Sequence, residues 1–401
     1  VVIGFGYGGL FATKQLESKG VDVVVIERNE CFFHKIGGAK ACIVPGYEEL
    51  AIIPFDKVFQ LPNSRLIGGS ATQINDGEVI VELRDGGEEV VPFDHLIIAT
   101  GLVHGFGQMP EAALSEKEMF DFCKAEQERV KNASSIKIIG GGALGAEAST
   151  QILETHPNTK VSLIHSRNKL LNSATPPVSD DFSALLAEKL TAHEVDLQLG
   201  AGRQPEEEEL PEGEVKIWAT GCKPSPAAQT LFGDWLDKDT GELRVNDQLQ
   251  VVGAPGNVYA IGDVAATGDY KQAKWSYSHA EVAVKNILEA ASPPATYKPS
   301  TSTSFKMRLM SFAMFPMVKK RVGTLATVKL YLGSKDCIAE FGGVLWNDKL
   351  TSKMVHADKG ANKFRNMLHQ PILSPDAGKR EADAKSSDPA EPQAPIEAST
   401  A

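Results

Sequence analysis

The sequence predicts an α/β protein with two parallel-sheet units that carry antiparallel meanders, followed by a small C-terminal α+β unit. Three observations indicate this fold class. The pattern G-x-G-x-x-G occurs twice, each copy lies between an apolar strand-like run and a helical run, and the sequence Ala-Thr-Gly ends a later apolar run of each unit. Glycine-rich turns of this spacing are typical of Rossmann-like dinucleotide-binding domains, so the 401-residue chain is predicted to contain two of them.

The first pattern follows the apolar residues at the start of the chain and consists of Gly4, Gly6 and Gly9. The first glycine permits a tight turn, the second lets backbone approach a diphosphate, and the third lets the helix pack closely on the strand. A helix is expected over residues 10–19 and a second strand over residues 21–26. Glu27 follows that strand, where a carboxylate can accept hydrogen bonds from ribose hydroxyls.

Short alternating runs around Asp85-Gly86 predict an antiparallel meander between residues 78 and 101. The meander returns to an apolar run that ends in Thr100 and Gly101. Residues 102–135 are polar with a helical pattern, and they lead to the second unit.

The second pattern consists of Gly140, Gly142 and Gly145 and follows a predicted strand over residues 135–139. The expected continuation is a helix over residues 146–153, a strand over 161–165, a helix over 181–191 and a strand over 215–221. Two units of this kind form an internal duplication, which indicates two bound dinucleotides.

The rest of the chain is predicted to contain strands over residues 241–246, 249–252 and 257–263, a helix over 276–291, and a last unit with strands over 324–332 and 337–346. From residue 371 large apolar side chains are almost absent, so the tail is expected to be disordered. The predicted domains are 1–105 with 225–297, 106–224 and 298–370, followed by the tail 371–401.

Composition limits the classes of function. The formal net charge of −11 opposes a nucleic-acid partner, because such binding depends on phosphate neutralisation by basic residues. The five cysteines form no C-x-x-C pair and the nine histidines form no H-E-x-x-H motif, so we expect no metal and a reduced, intracellular, cytoplasmic protein. No run of 18 apolar residues occurs, so no transmembrane helix is expected.

Residues 306–321 combine basic side chains with methionine and phenylalanine. Such a stretch could lie on a lipid surface, as a peripheral contact with a lipid droplet, mitochondrial or plasma membrane. Packing inside the last unit is the favoured alternative, since methionines fill irregular interiors. The chain begins inside a strand without Met, so we expect upstream residues, with any targeting or acylation signal, to be missing.

Two glycine patterns, two Ala-Thr-Gly strand ends and the run Tyr-Ala-Ile-Gly-Asp at 259–263 occur in this order. Together they resemble the flavoproteins with two dinucleotide-binding domains in the pyridine nucleotide-disulfide oxidoreductase superfamily, over about residues 1–295. Within that superfamily, the runs at 162–166, 257–263 and 279–287 are similar to the apoptosis-inducing-factor-like branch and its ferroptosis suppressor group.

The resemblance implies FAD in the first unit, with its diphosphate at the first three glycines and Glu27 on the adenosine ribose. It places Thr100 and Gly101 beside the cofactor and Asp263 at its ribityl–diphosphate region. It also implies NADH or NADPH on the second set of glycines, with Glu147 at the position of the family acid near the nicotinamide. The alternative for Glu147 is an acid that complements the helix macrodipole.

Disulfide reductases of this superfamily carry a redox-active cysteine pair at short spacing, and Cys31 and Cys42 match neither known arrangement. Electrons are therefore expected to pass directly from the flavin to a small-molecule acceptor, for which the resemblance implies a quinone. The alternatives are a monodehydroascorbate, ferredoxin or rubredoxin reductase of the same architecture, and a redox sensor or scaffold similar to apoptosis-inducing factor.

The strand predicted over residues 161–165 ends in His165, and Ser166 and Arg167 follow it. NAD-specific sites usually hold a carboxylate at this position, which repels a 2′-phosphate. His165 lacks that charge and Arg167 can reach a phosphate, so we expect NADH and NADPH to be oxidised with kcat/KM values within about tenfold. The alternative is that Arg167 points into solvent and His165 only caps the strand end.

Overall fold

The structure is a computed structural model that describes residues 1–103, 105–172, 174, 177–205, 207, 209–288, 294–299, 327–341, 344–346 and 359–373. The statements below refer to these residues. The basic and apolar stretch 306–321 and the tail after residue 373 lie outside the described residues.

The described helices are α1 (Tyr7–Glu17), α2 (Gly38–Ala41), α3 (Glu48–Ala51), α4 (Glu116–Lys131), α5 (Ala143–Thr155), α6 (Asp180–Ala192), α7 (Pro226–Phe232), α8 (Ala273–Leu288) and α9 (Ala361–Met367). The described strands are β1 (Val2–Ile3), β2 (Val24–Glu27), β3 (Cys31–Phe33), β4 (Ile52–Pro54), β5 (Arg65–Asn75), β6 (Glu78–Leu83), β7 (Glu88–Pro92), β8 (Leu96–Ile98), β9 (Ser135–Ile139), β10 (Lys160–Ile164), β11 (Asp196–Gln198), β12 (Glu214–Trp218), β13 (Val258–Ala260), β14 (Thr327–Leu332), β15 (Asp336–Phe341) and β16 (Val344–Trp346).

The first unit contains a seven-stranded sheet in the order β13-β8-β1-β2-β5-β6-β7. The pairs from β13 to β5 are parallel, and β6 and β7 add the predicted antiparallel meander. β1 lies between β2 and β8, so the first glycine pattern begins at the carboxyl end of a central strand, the usual ligand position in an open parallel sheet.

The second unit repeats this arrangement on a smaller scale. Its sheet has the order β11-β10-β9-β12, and all three strand pairs are parallel. β9 lies inside the sheet and leads into the second glycine pattern, which therefore has the same topological position as the first. The buried side chains of β9, α5 and α6 form one apolar core.

The last unit contains an antiparallel sheet, β14-β15-β16, together with α9, and it contacts both preceding units. On the side of the second unit, Lys189 pairs with Asp336 at 3.1 Å. On the side of the first unit, the ring of Phe364 lies 4.9 Å from Tyr7 and 5.5 Å from Phe32, centroid to centroid. The last unit therefore spans the boundary between the two nucleotide-binding units.

Two predictions of local structure are wrong. Residues 241–246 and 249–252 form no strands and instead make isolated bridges, such as Leu243 with Ala265 and Val245 with Val251, because no partner runs alongside them for several residues. The single strand predicted over residues 337–346 is instead the two strands β15 and β16, which pair with each other antiparallel. Of the predicted tail the structure describes only residues 371–373, where Leu373 N donates to Asn362 Oδ1 at 3.0 Å, so the disorder of the tail stays a prediction.

Among the described residues, no helix is long and apolar enough to cross a membrane. In the same part of the chain, no group of histidine, cysteine, aspartate and glutamate side chains could hold a metal ion.

Candidate cofactor and nucleotide sites

A cavity of about 830 Å³ lies where the three units meet. Seven of the predicted site residues line it: Gly4, Gly6, Glu27, Thr100, Gly101, Glu147 and Asp263. Glu147 enters from α5 of the second unit, and Leu330 enters from β14 of the last unit. The cavity therefore joins the first glycine pattern to the residue predicted to lie near the nicotinamide.

The first glycine of each pattern has no room for a side chain. Gly4 and Gly140 have φ values of +91° and +121°, which side chains rarely tolerate. A Cβ would lie 2.7 Å from the carbonyl oxygen of Ala99 at Gly4, and 2.4 Å from that of Ala219 at Gly140. Each Ala-Thr-Gly strand end thus lies directly against the glycine turn of its own unit.

The second and third glycines have opposite surroundings. A Cβ at Gly6 or Gly142 would meet nothing within 4 Å, whereas one at Gly9 or Gly145 would lie 2.0 Å from the carbonyl oxygen of the first glycine. No side chain caps the N-terminus of α1 or α5. An open cradle beside an uncapped helix N-terminus suits a diphosphate, so both patterns fit a dinucleotide.

Glu27 positions the first glycine loop. Its Oε2 accepts a hydrogen bond from Phe5 N at 2.7 Å, and its Oε1 accepts one from Asn29 N at 3.0 Å. A carboxylate oxygen can accept a second hydrogen bond, so this geometry leaves acceptor capacity at the cavity for a ribose hydroxyl. The predicted ribose contact of Glu27 is compatible with this arrangement and stays a prediction.

Basic side chains outnumber acidic ones around the cavity. Its cations are Arg28, Lys35, Lys271, Lys274 and Lys329, and its carboxylates are Glu27, Asp263 and Glu147. Burial lowers the pKa of Lys35, although Asp263 partly offsets this effect, and burial lowers the pKa of Lys274 to about 8. Such a surplus of positive charge fits FAD, whose diphosphate is anionic. Sequence reasoning missed these lysines because they follow no motif.

A buried network positions the backbone next to Asp263. Gly262 N donates to Nδ1 of His279 at 3.0 Å, and His279 is only 2% exposed. Nε2 of the same ring faces Asp269 at 3.5 Å, and Tyr297 donates to Asp269 at 2.6 Å. The histidine occurs in the run 279–287 that carried the family resemblance, but its contact with Gly262 could not be inferred from the sequence.

Glu147 connects the second unit to the last one. Its Oε1 accepts a hydrogen bond from Tyr331 N at 2.9 Å, and its Oε2 lies 2.9 Å from Lys359 Nζ. The residue lies beyond the first turn of α5, where the helix macrodipole is weak, so the macrodipole alternative is disfavoured. Its predicted place near the nicotinamide is compatible with its position at the cavity and stays a prediction.

The side chains predicted to bind the adenosine end of NAD(P)H lie outside the cavity. His165 follows β10, and its Nδ1 accepts a hydrogen bond from Gly141 N at 3.1 Å. Its Nε2 lies 2.8 Å from Asn172 Oδ1. Arg167 is exposed on the same loop. The structure therefore assigns His165 a contact with the glycine loop, and the nucleotide contacts of both residues stay predictions.

All five cysteines are free, and four of them are buried. Burial raises the pKa of Cys31 to about 12. A hydrogen bond to Cys123, together with burial, raises the pKa of Cys42 well above its usual value. A thiol relay needs an accessible thiolate, so neither residue is suited to one.

Two glycine-loop units, a shared cavity between them and an excess of positive charge define a flavoprotein oxidoreductase that binds two dinucleotides. The family model for pyridine nucleotide-disulphide oxidoreductases matches residues 1–286. The chain belongs to this family. It is an NAD(P)H-dependent flavin oxidoreductase whose cofactors are FAD and NAD(P)H, as the sequence predicted.

Proteins of similar sequence support the assignment of the chain to this family. Apoptosis-inducing factor homolog B of Dictyostelium discoideum is 30% identical over 321 residues, which cover 72% of this chain and 80% of that protein. Human ferroptosis suppressor protein 1 is 29% identical over 320 residues, covering 76% and 84%. The predicted resemblance to the apoptosis-inducing-factor-like branch is thereby confirmed.

Solved structures share the fold. The sulfide:quinone oxidoreductase of Aquifex aeolicus superposes with a TM-score of 0.67 at 15% identity, covering 96% of this chain and 94% of that one. NDH2 of Plasmodium falciparum in complex with NADH gives a TM-score of 0.58 at 13% identity, covering 93% and 99%. The predicted fold class is confirmed.

Proposed function

We propose that this oxidoreductase is an NAD(P)H:quinone reductase that passes electrons from the reduced flavin directly to its acceptor. The observation that carries the proposal is that large apolar side chains contribute to the lining of the cavity. They are Phe33, Val103, Phe106, Leu144 and Leu330. A flat, uncharged quinone ring suits such a surface, whereas a protein acceptor would need an exposed charged patch.

The state of the cysteines supports direct transfer. Thiols with raised pKa values stay protonated near neutral pH, and Cys31 and Cys42 do not form a disulfide. FAD, when bound, supplies the two-electron chemistry that links a hydride donor to an acceptor. The chain contributes the cavity: Glu147 borders it from α5, and the ion pair with Lys359 holds that carboxylate in place.

One solved neighbour with the same fold is described as a sulfide:quinone oxidoreductase. That likeness concerns the fold alone, so the choice of acceptor rests on the cavity and on the ferroptosis suppressor resemblance.

The decisive experiment measures steady-state NADH consumption by the purified, FAD-loaded protein. A short-chain ubiquinone analogue, monodehydroascorbate and oxidised rubredoxin would be compared under identical conditions. We expect continuous turnover with the quinone and at least tenfold lower kcat/KM with the other two acceptors. Faster turnover with monodehydroascorbate or rubredoxin would replace the quinone by that acceptor. A single bleaching of the flavin without turnover would favour a redox sensor instead.

A further inference from the structure

The turn that carries Asp263 is held by a buried histidine. Residues Gly262–Val264 form a single 3-10 turn after β13, and Asp263 borders the cavity from this turn. Gly262 N donates to Nδ1 of His279 at 3.0 Å, and His279 lies on α8. The position of Asp263 therefore depends on an acceptor nitrogen that another element supplies.

A lysine holds the other end of the same turn. Ala265 follows the turn, and its carbonyl oxygen accepts a hydrogen bond from Lys271 Nζ at 3.3 Å. Lys271 also pairs with Glu242 at 2.8 Å. The turn is thus fixed at one end by a side chain that donates and at the other end by a side chain that accepts.

The neighbours of His279 determine which of its nitrogens carries the proton. Nδ1 accepts from Gly262 N, so it has no proton of its own. Nε2 carries the proton and faces the carboxylate of Asp269 at 3.5 Å. The ring that holds the turn is therefore neutral. A second proton would place an N–H on Nδ1 directly opposite the N–H of Gly262, and that hydrogen bond would be lost.

A buried carboxylate favours the second proton. Asp269 is 6% exposed and accepts a hydrogen bond from the hydroxyl of Tyr297 at 2.6 Å. Burial, together with Asp269, raises the pKa of Tyr297 far above its usual value, so the phenol remains a donor and Asp269 remains the acceptor. Because an anionic neighbour stabilises an imidazolium, Asp269 opposes the contact that keeps the ring neutral.

The other groups near this ring lie on the turn, on α8 and on α1. Asp263 is on the turn, and Lys274, which interacts electrostatically with Asp269, is in the first turn of α8. α1 packs on α8 through the ring of Phe11, which lies 4.9 Å from that of Tyr277. Two carboxylates against one ammonium group give a negative balance, which also favours an imidazolium.

We propose that His279 is a positioning residue of the FAD site: its neutral imidazole holds the turn that carries Asp263, and protonation of the ring in mild acid loosens that turn and releases FAD. The step transfers one proton from solvent to Nδ1 and breaks the hydrogen bond from Gly262 N. Imidazole is the side chain that ordinarily changes its charge between pH 5 and 8. The step involves no electron acceptor, so it is independent of the proposed quinone.

The test measures the rate of FAD release from the purified, FAD-loaded protein at pH 7.5 and pH 5.5, from the rise in flavin fluorescence after dilution. Wild type should release FAD about tenfold faster, or more, at the lower pH. His279→Asn offers an amide oxygen to Gly262 N but takes up no proton. It should release FAD at about the wild-type rate at pH 7.5 and change less than about threefold at pH 5.5.

Three further variants separate the acceptor from the charge that surrounds it. His279→Leu has no acceptor for Gly262 N, so at pH 7.5 it should release FAD about tenfold faster than wild type, or more. Asp269→Asn removes the anion that favours the imidazolium, so its response to acid should be smaller than that of wild type. Tyr297→Phe removes a donor to the same carboxylate and should enlarge the response.

Equal rates of FAD release from wild type at the two pH values would overturn the proposal, and so would a wild-type response to acid in His279→Asn. Equally fast release from His279→Asn and His279→Leu at pH 7.5 would also overturn it, because the acceptor would then not be what holds the turn. If His279→Leu does not fold, the comparison of wild type with His279→Asn decides alone.

Discussion

Lys359 Nζ lies 2.9 Å from Glu147 Oε2, and this ion pair joins two residues that are 212 positions apart in the sequence. The side chains are 5% and 16% exposed, so the ion pair lies largely out of solvent. Since Glu147 borders the cavity and Lys359 precedes α9, the pair connects the conformation of the last unit to the predicted nicotinamide region.

Removing one partner of this pair should destabilise the protein. Lys359→Met leaves the carboxylate of Glu147 largely buried and without its counter-ion. We expect the free energy of unfolding to fall by about 3 kcal/mol. This value is at the lower end of the range for broken buried ion pairs, because Tyr331 N still donates to Glu147. Urea unfolding of the variant checks this. The double variant Lys359→Met, Glu147→Gln should recover part of the loss, and strict additivity would show that the pair is not coupled.

The open second glycines allow each nucleotide site to be blocked separately. Gly6→Val and Gly142→Val place a side chain in empty space at ordinary backbone angles, so both variants should fold. We expect Gly6→Val to purify with little flavin. Gly142→Val should stay yellow but bind NADH at least tenfold more weakly.

Gly145→Val is the matched control, because its Cβ would lie 2.0 Å from the carbonyl oxygen of Gly140 and must disturb the packing of α5 on the sheet. We expect it to lower the melting temperature, unlike Gly142→Val. A colourless Gly142→Val protein would reverse our assignment of the two sites.

FAD affinity should fall as the pH rises through about 8. Burial lowers the pKa of Lys274 to about 8, so in the FAD-free protein this lysine loses its charge above that pH and the anionic diphosphate loses a cation. Between this pKa and its usual value of 10.5, the unfolded chain binds more protons than the folded one, so the stability of the FAD-free protein should rise with pH in that window.

The measurement is the FAD dissociation constant at pH 7 and pH 9.5, by quenching of flavin fluorescence. Lys274→Met should bind FAD more weakly than wild type at pH 7. Its FAD dissociation constant should also increase less than that of wild type between pH 7 and pH 9.5. Burial also lowers the pKa of Lys35 and that of Lys329, so the pH dependence of the variant is compared with that of the wild type. Equal pH dependence in both would exclude Lys274 as the cause.

Replacing the two cysteines of the first unit should leave catalysis intact. Cys31→Ser with Cys42→Ser removes both thiols, and neither has the low pKa that a relay would need. We expect NADH:quinone turnover within about threefold of wild type after normalisation to bound FAD. Loss of most turnover with FAD still present would show that electrons pass through sulfur.

Local sequence was sufficient wherever a short stretch determines its own conformation. The strand over residues 135–139 occurs with the predicted bounds, and both glycine patterns form the expected turn from strand to helix. These turns depend on positions that lack a Cβ, and such positions are visible in the sequence. The strands predicted over residues 241–246 and 249–252 do not form, because a strand also needs a partner strand, which the local pattern does not reveal.

The sequence by itself determined the family, the two nucleotide-binding units and the glycines that shape them. Only the tertiary structure decided which side chains complete the sites. Lys359 reaches Glu147 from a distant unit, His279 holds the backbone beside Asp263, and His165 supports a glycine loop 24 residues earlier. The physical reason is that a hydrogen bond or ion pair depends on distance in space, and these partners approach one another only after the sheets and the last unit have packed.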